Sequence, residues 1–257
     1  MFCLILPLCA NGQGYNIQFN PPAAGGGGGG SLTFEDASTT NSVEASNVTT
    51  HTVDTTADTI AAGDLVFVIT CLDNNGGGDI GFTCPSGWTK VDVGPGQGNG
   101  GDGVICYFES TGGTEDEATI DIVSNSTQQS SSHVLVFNGQ DATTPVTCSA
   151  VTNNVNSDDA ISTALAVGDA GDIMLRIFCA DQGAIVTDTT FASECITSGT
   201  AGENRAIRES ANGTSAPGSS GFCIDDTPTA SAVTWTGVFS EGTSTVESTG
   251  ISCRIED

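Results

Sequence analysis

Basic side chains are nearly missing from this chain. Against 31 Asp and Glu stand only 5 Lys and Arg, namely Lys90, Arg176, Arg205, Arg208 and Arg254, and the formal net charge is −26. So acidic a chain has little with which to replace counterions along a phosphate backbone, which excludes nucleic acid as a partner. Docking on an anionic membrane surface is excluded for the same reason. Charge of one sign keeps copies soluble and apart, and it suits salty surroundings where screening shortens the repulsion. Aromatic residues are also scarce, with 2 Trp and 2 Tyr. An extended aromatic platform for sugar rings is therefore hard to build, and Trp88 and Trp235, both in alternating segments, are expected in the core. Helix formers at a period of 3.6 residues are nearly absent.

Catalytic constellations are missing too. The chain has only two histidines, His51 and His133. No Gly-x-Ser-x-Gly elbow surrounds a serine, and neither Cys-x-x-Cys nor His-Glu-x-x-His spacing occurs. The stretch 96–103 is glycine-rich but lacks the Lys-Ser/Thr ending of a phosphate loop. Carboxylates pair in sequence at 115–117, 158–159 and 225–226. An acid hydrolase would need two of them in one cleft. The expectation is no catalytic residue, no bound cofactor and no enzyme activity.

What is present is a set of short apolar runs, separated by Gly, Asn and Asp and filled by Val, Ile, Thr and Phe. Strands are predicted at 49–55, 64–71, 87–93, 103–110, 118–123 and 132–138. Further strands are predicted at 160–167, 172–180, 190–196, 205–209, 230–236 and 249–255. Regular short strands without helices between them predict an all-β fold, a two-sheet β-sandwich of jelly-roll or Ig-like type.

The sequence repeats itself. Ala62-Gly63-Asp64 with the apolar run up to Cys71 and Asp73 aligns with Ala170-Gly171-Asp172 and the run up to Cys179 and Asp181. Glu109-Ser110 before Gly113-Thr114 likewise matches Glu209-Ser210 before Gly213-Thr214. Two matches in the same order predict one sandwich built from two related halves, about 32–145 and 146–257.

Ten cysteines point to an oxidising destination. Alternation aims Cys71, Cys106, Cys179 and Cys253 at the core, where a free cysteine serves as a small apolar residue and a cross-strand disulfide is the alternative. Cys84, Cys148, Cys195 and Cys223 lie near loops and are the disulfide candidates. Oxygen-bearing side chains at Asp73, Asn75 and Asp79, with glycines between, resemble the spacing of a calcium loop. A plain acidic turn is the competing reading, since the distal bidentate Glu of such a loop is missing.

The N-terminus is the most apolar stretch of the chain. The apolar run 1–10, with Phe2, Leu4, Ile5, Leu6 and Leu8, is too short to span a bilayer, and residues 1–17 are read as a docking arm. No Lys or Arg precedes the run, as one would in a secretory signal. Residues 18–31 follow as a Pro/Gly tether ending in six consecutive glycines. The order is apolar docking arm, loose tether, acidic body from 32 to 257.

Ala62-Gly63-Asp64, Pro85-Ser86-Gly87-Trp88-Thr89, Cys106-Tyr107-Phe108 and Val134-Leu135-Val136-Phe137-Asn138-Gly139, followed by Asp141-Ala142-Thr143-Thr144-Pro145, together resemble a known domain. It is the β-sandwich domain of tailed-phage virion proteins (decoration, fibre and minor tail) and of related bacterial surface proteins. The resemblance covers about residue 43 to the C-terminus and carries no catalytic residue. It implies a structural protein of the virion surface, anchored through the arm to capsid or tail proteins and present as a homo-oligomer. The alternative is a secreted adhesin or carbohydrate-binding module on host-surface glycans, with calcium.

Overall fold

The structure, a computed structural model, describes residues 32–37, 42–55, 60–73, 79–94, 101–112, 119–154, 159–166, 171–180, 204–208, 219–225, 233–238 and 248–257. The arm residues Phe2, Leu4, Ile5, Leu6 and Leu8, the tether, the strand expected at 190–196, Asn75 and Cys195 lie outside them. All regular structure among the described residues is β. The first half contributes β1 (Thr33–Ala37), β2 (Ser42–Asp54), β3 (Leu65–Leu72), β4 (Phe82–Thr83), β5 (Thr89–Val93), β6 (Asp102–Glu109) and β7 (Thr119–Asn138). The second contributes β8 (Val146–Cys148), β9 (Thr152–Asn154), β10 (Asp159–Leu165), β11 (Ile173–Ala180), β12 (Asn204–Arg208), β13 (Ser219–Asp225), β14 (Val233–Val238) and β15 (Ser248–Ile255).

Each half makes its own antiparallel sheet. In the first the order is β1-β7-β3-β6-β5, with β2 and β4 also on β7; in the second it is β12-β13-β11-β15-β8, with β9 also on β15. Strands β10 and β14 form a separate two-stranded ribbon, and β10 runs close along β15. The two large sheets stack face to face as a β-sandwich. Leu65, Phe67, Ile69 and Cys71 of β3 meet Ile173, Leu175, Ile177 and Cys179 of β11 in one cluster.

The central strands are buried on both faces, which alternation alone did not indicate. The other face of β3, with Val66, Val68 and Leu72, joins Val53, Phe82, Ile120 and Ile122 in a second cluster. The cause is strand β7. Its 20 residues cover two predicted strands without a break. Its first part pairs with the end of β2, where Ile122 faces His51, and its last part pairs with β3, where Phe137 faces Leu65. One strand thus serves the inner sheet and the flap that covers it. A run such as Leu-Val-Phe-Val-Ile-Thr-Cys-Leu, apolar at nearly every position, is what burial on both faces selects.

The sheets repeat one another in register. Val68 of β3 stands opposite Cys106 of β6 and Val134 of β7. The aligned Arg176 of β11 stands opposite Cys223 of β13 and Ser252 of β15. Strand β1 joins the end of β7 at Phe34 and Phe137, and β8 joins β15 at Val146 and Ile255. The β10–β14 ribbon corresponds to the β2–β7 flap. What β7 does as one strand, β14 and β15 do as two.

A disulfide joins Cys71 to Cys179 across the two sheets, 108 residues apart. These are equivalent positions of the repeat, so the halves meet through like surfaces, as subunits of a two-fold dimer do. The polar contacts beside it follow the same symmetry. Ser131 and His133 of β7 reach Ser220 of β13, while Thr249 of β15 donates to the carbonyl of Gly101, just before β6, at 2.9 Å. Gly103 lies against this bridge, where a Cβ would collide with Cys179 Sγ.

Two more bridges join Cys84 to Cys106 and Cys148 to Cys253. The core cysteines Cys71, Cys106, Cys179 and Cys253 are therefore half-cystines rather than thiols. Cys84 and Cys148 each pair with one of them rather than with another loop cysteine. Alternation shows which face a cysteine takes; the partner depends on which strand or sheet lies opposite.

Losing the bridge between halves frees a loop of 108 residues, and the expected cost of Cys71→Ser with Cys179→Ser is about 4 kcal/mol. Chemical denaturation of the double variant tests this, and an unchanged midpoint would contradict it. The repeated register also predicts a second-half counterpart of Cys84–Cys106. Cys223 takes the place of Cys106, and Cys195 precedes Ile-Thr-Ser-Gly as Cys84 precedes Pro-Ser-Gly. Non-reducing peptide mapping should recover a peptide linking Cys195 to Cys223. Alkylation of either residue without prior reduction would reject the pairing.

Candidate binding cleft

Pro85, Ser86, Gly87 and Trp88 form a tight turn closed by the Trp88 N–H donating to the Pro85 carbonyl at 3.2 Å. Gly87 holds φ +89°, the left-handed conformation that the third position of a type II turn requires. The turn ends as β5 begins, and it lays the Trp88 ring against Phe108, with centroids 4.1 Å apart and planes at 35°. Trp88 packs on the rim of the second apolar cluster and stays half-buried. The expectation of a core tryptophan is thus corrected: the turn sits at the sheet's end, so the ring caps the core from its edge. For Trp235 the backbone lies in β14.

Beside this ring is an open cleft of about 770 Å³. Trp88, Tyr107, Phe108, Glu109, Asp121 and Pro145 line it, together with hydroxyl-bearing Ser86, Thr89, Thr111 and Thr119. Tyr107 is held from behind by stacking on Phe67, at 5.8 Å and 10°. Glu109 and Asp121 are exposed, and Asp121 accepts a bond from the Thr52 hydroxyl at 2.8 Å. Lys90, the chain's only lysine, is not in the lining; it pairs with Asp92 at 3.0 Å and donates to the Phe82 carbonyl.

Pro145 belongs to the segment joining the halves, and the C-terminus secures that segment. Glu256 N–H donates to the Pro145 carbonyl at 3.1 Å, and Asp141 N–H donates to the Glu256 carbonyl at 2.8 Å. The Glu256 carboxylate accepts from Thr147 Oγ1 at 2.6 Å and from Arg254 Nη2 at 2.7 Å. These two bonds, the threonine's first, hold its carboxyl below the ordinary value against a smaller opposing effect of burial. Asp141 is lowered as well, by the backbone N–H groups of Thr144 and Thr143. The Ala-Gly-Asp motifs do the same work in each half. Asp64 accepts from Asn138 Nδ2 at 2.7 Å, and Asp172 accepts from the Asp257 N–H at 3.2 Å, each tying the start of a central strand to the end of its neighbour.

The other sequence candidates are dispersed. Asp73 is buried at the end of β3 and Asp79 is exposed. Among the described residues no group of three or more His, Cys, Asp or Glu is placed to hold a metal. His51 is sealed between the hydroxyls of Ser130 at 3.0 Å and Ser124 at 2.9 Å. His133 bonds Ser220 at 2.7 Å and lies edge-on to Phe222. Both imidazoles are buried and neither lines the cleft. Sequence reasoning missed the cleft itself; its one available signal was Pro-Ser-Gly before a tryptophan, the signature of a turn that carries an aromatic ring to a strand's end. Comparison of the chain with family models, curated proteins and solved structures finds no match.

Glu256 also yields a pH dependence. Its native pKa is depressed below 4.5, so its contribution is whole above that pH and is lost as pH falls through the lowered native value. Glu256→Gln is expected to cost roughly 1 kcal/mol at pH 7. It should also flatten the acid limb, so that the two proteins converge as pH falls through the lowered native value. Urea midpoints across that range test it, and parallel acid limbs would count against it.

Proposed function

We propose that this chain is a non-enzymatic structural protein of a tailed-phage particle surface: a head decoration, head fibre or minor tail component. Residues 1–17 dock on capsid or tail proteins, residues 18–31 act as the tether, and the acidic sandwich is displayed to solvent. The observation that carries this reading is the order of an apolar segment, a polyglycine stretch and a disulfide-bonded acidic body. The bridges fit an oxidising, extracellular setting. No helix among the described residues is long and apolar enough to cross a membrane. The net charge of −26 resists adhesion between neighbouring copies on a crowded surface. Two histidines sealed behind serine hydroxyls suit a packing role better than proton transfer.

Removal of residues 1–24 is expected to abolish association with particles while the body keeps its native circular dichroism. Co-sedimentation of tagged full-length and truncated protein with particles lacking the protein measures this. A truncated chain that still co-sediments would refute the docking role.

A further inference from the structure

We propose that the cleft at Trp88 is a glycan-binding site for a neutral or amine-bearing sugar residue. The proposal holds whether the chain is fixed to a particle or secreted free. A hexose presents an apolar C–H face and a rim of hydroxyls, and it needs a flat apolar surface with hydrogen-bonding groups around it.

The cleft supplies both. Trp88 and Phe108 form a tilted aromatic pair that the Pro85–Trp88 turn holds in place, so little side-chain freedom is lost when a ring stacks there. The hydroxyls of Ser86, Thr89 and Thr119 and the carboxylates of Glu109 and Asp121 surround it. Charged acceptors make the stronger hydrogen bonds to sugar hydroxyls. Among the described residues no lysine or arginine lines the cleft, and the carboxylates of Glu109 and Asp121 repel sialylated, uronate and sulfated sugars. An amino sugar gains a further ion pair. The volume of about 770 Å³ suits a short oligosaccharide rather than a lone ring.

The site is also paired with the fold. Its wall at Pro145 accepts a hydrogen bond from the Glu256 N–H, so the second half braces that side of the cleft. Tyr107 is backed by Phe67 of the shared core, which gives the cleft a rigid floor.

The test uses the full chain on an array of neutral, amino and anionic glycans, followed by calorimetric titration of the best neutral hit. Binding of neutral or amino glycans, with anionic ones ignored, is expected. Trp88→Ala should weaken binding at least tenfold. Because that change also trims the core's edge, Glu109→Gln and Asp121→Asn serve as exposed variants that leave the core intact. Each is expected to weaken binding of the amino sugar by more than that of its neutral counterpart. No bound glycan at millimolar concentration, a preference for anionic glycans, or affinity unchanged in all three variants would each overturn the proposal.

Discussion

The structure depends on one apolar contact: the inner face of β3 against the inner face of β11, fixed at one end by Cys71–Cys179. Each half alone could bury only the face of its sheet that lies under its own flap. Stacking removes the second apolar face of both central strands from water. Full burial of a Phe or Leu side chain contributes about 1.5–3 kcal/mol, and Phe67, Phe137, Leu65, Ile69 and Leu135 are all fully buried. The contact therefore carries much of what holds the body together, and it explains why the halves form one sandwich. Because equivalent residues meet, a surface that suits one half automatically suits the other, which is the economy of a two-fold interface within a single chain.

Acidity is confined by the same arrangement. A chain with so few cations cannot neutralise carboxylates pairwise. The structure uses several as hydrogen-bond acceptors instead. Asp64, Asp141, Asp172 and Glu256 accept from backbone or side-chain donors at the ends of strands and in the segment between halves. At Asp141 and Glu256 these bonds favour the ionised form, so the two acids stabilise the fold while keeping their charge. The scarce arginine Arg254 sits where two acids meet, near Asp172 and Glu256. Within the core, serine and threonine hydroxyls satisfy polar groups around His51 and between Thr70 and Ser132, and the buried Asp102 accepts from the Ile80 N–H.

Function, on the reading proposed, lives at the edges. The cleft brings aromatic rings, hydroxyls and carboxylates together within reach of solvent. It arises where the end of β6, the turn before β5 and the interhalf segment meet. A net charge of −26 makes copies of the body repel one another, which suits contact through such a cleft without aggregation.

Much of the architecture was legible in the sequence. Short apolar runs between turn residues determined the β class, and the Ala-Gly-Asp repeats marked the two central strands, because local propensity and alternation are properties of neighbouring residues. Strand β13 was missed because Gly, Ser and Asp dilute its apolar signal; tertiary pairing with β11 makes it a strand. The merging of two predicted strands into β7, and its service to two layers, were equally invisible, since nothing local says that the chain will not turn at Asn125. Cysteine partners and the cleft were decided only in three dimensions. A disulfide needs two Cα atoms brought within about 6 Å, and a cleft needs walls from segments far apart in the chain. Which side chains face inward is written residue by residue; which inward faces meet is a matter of how the sheets stack.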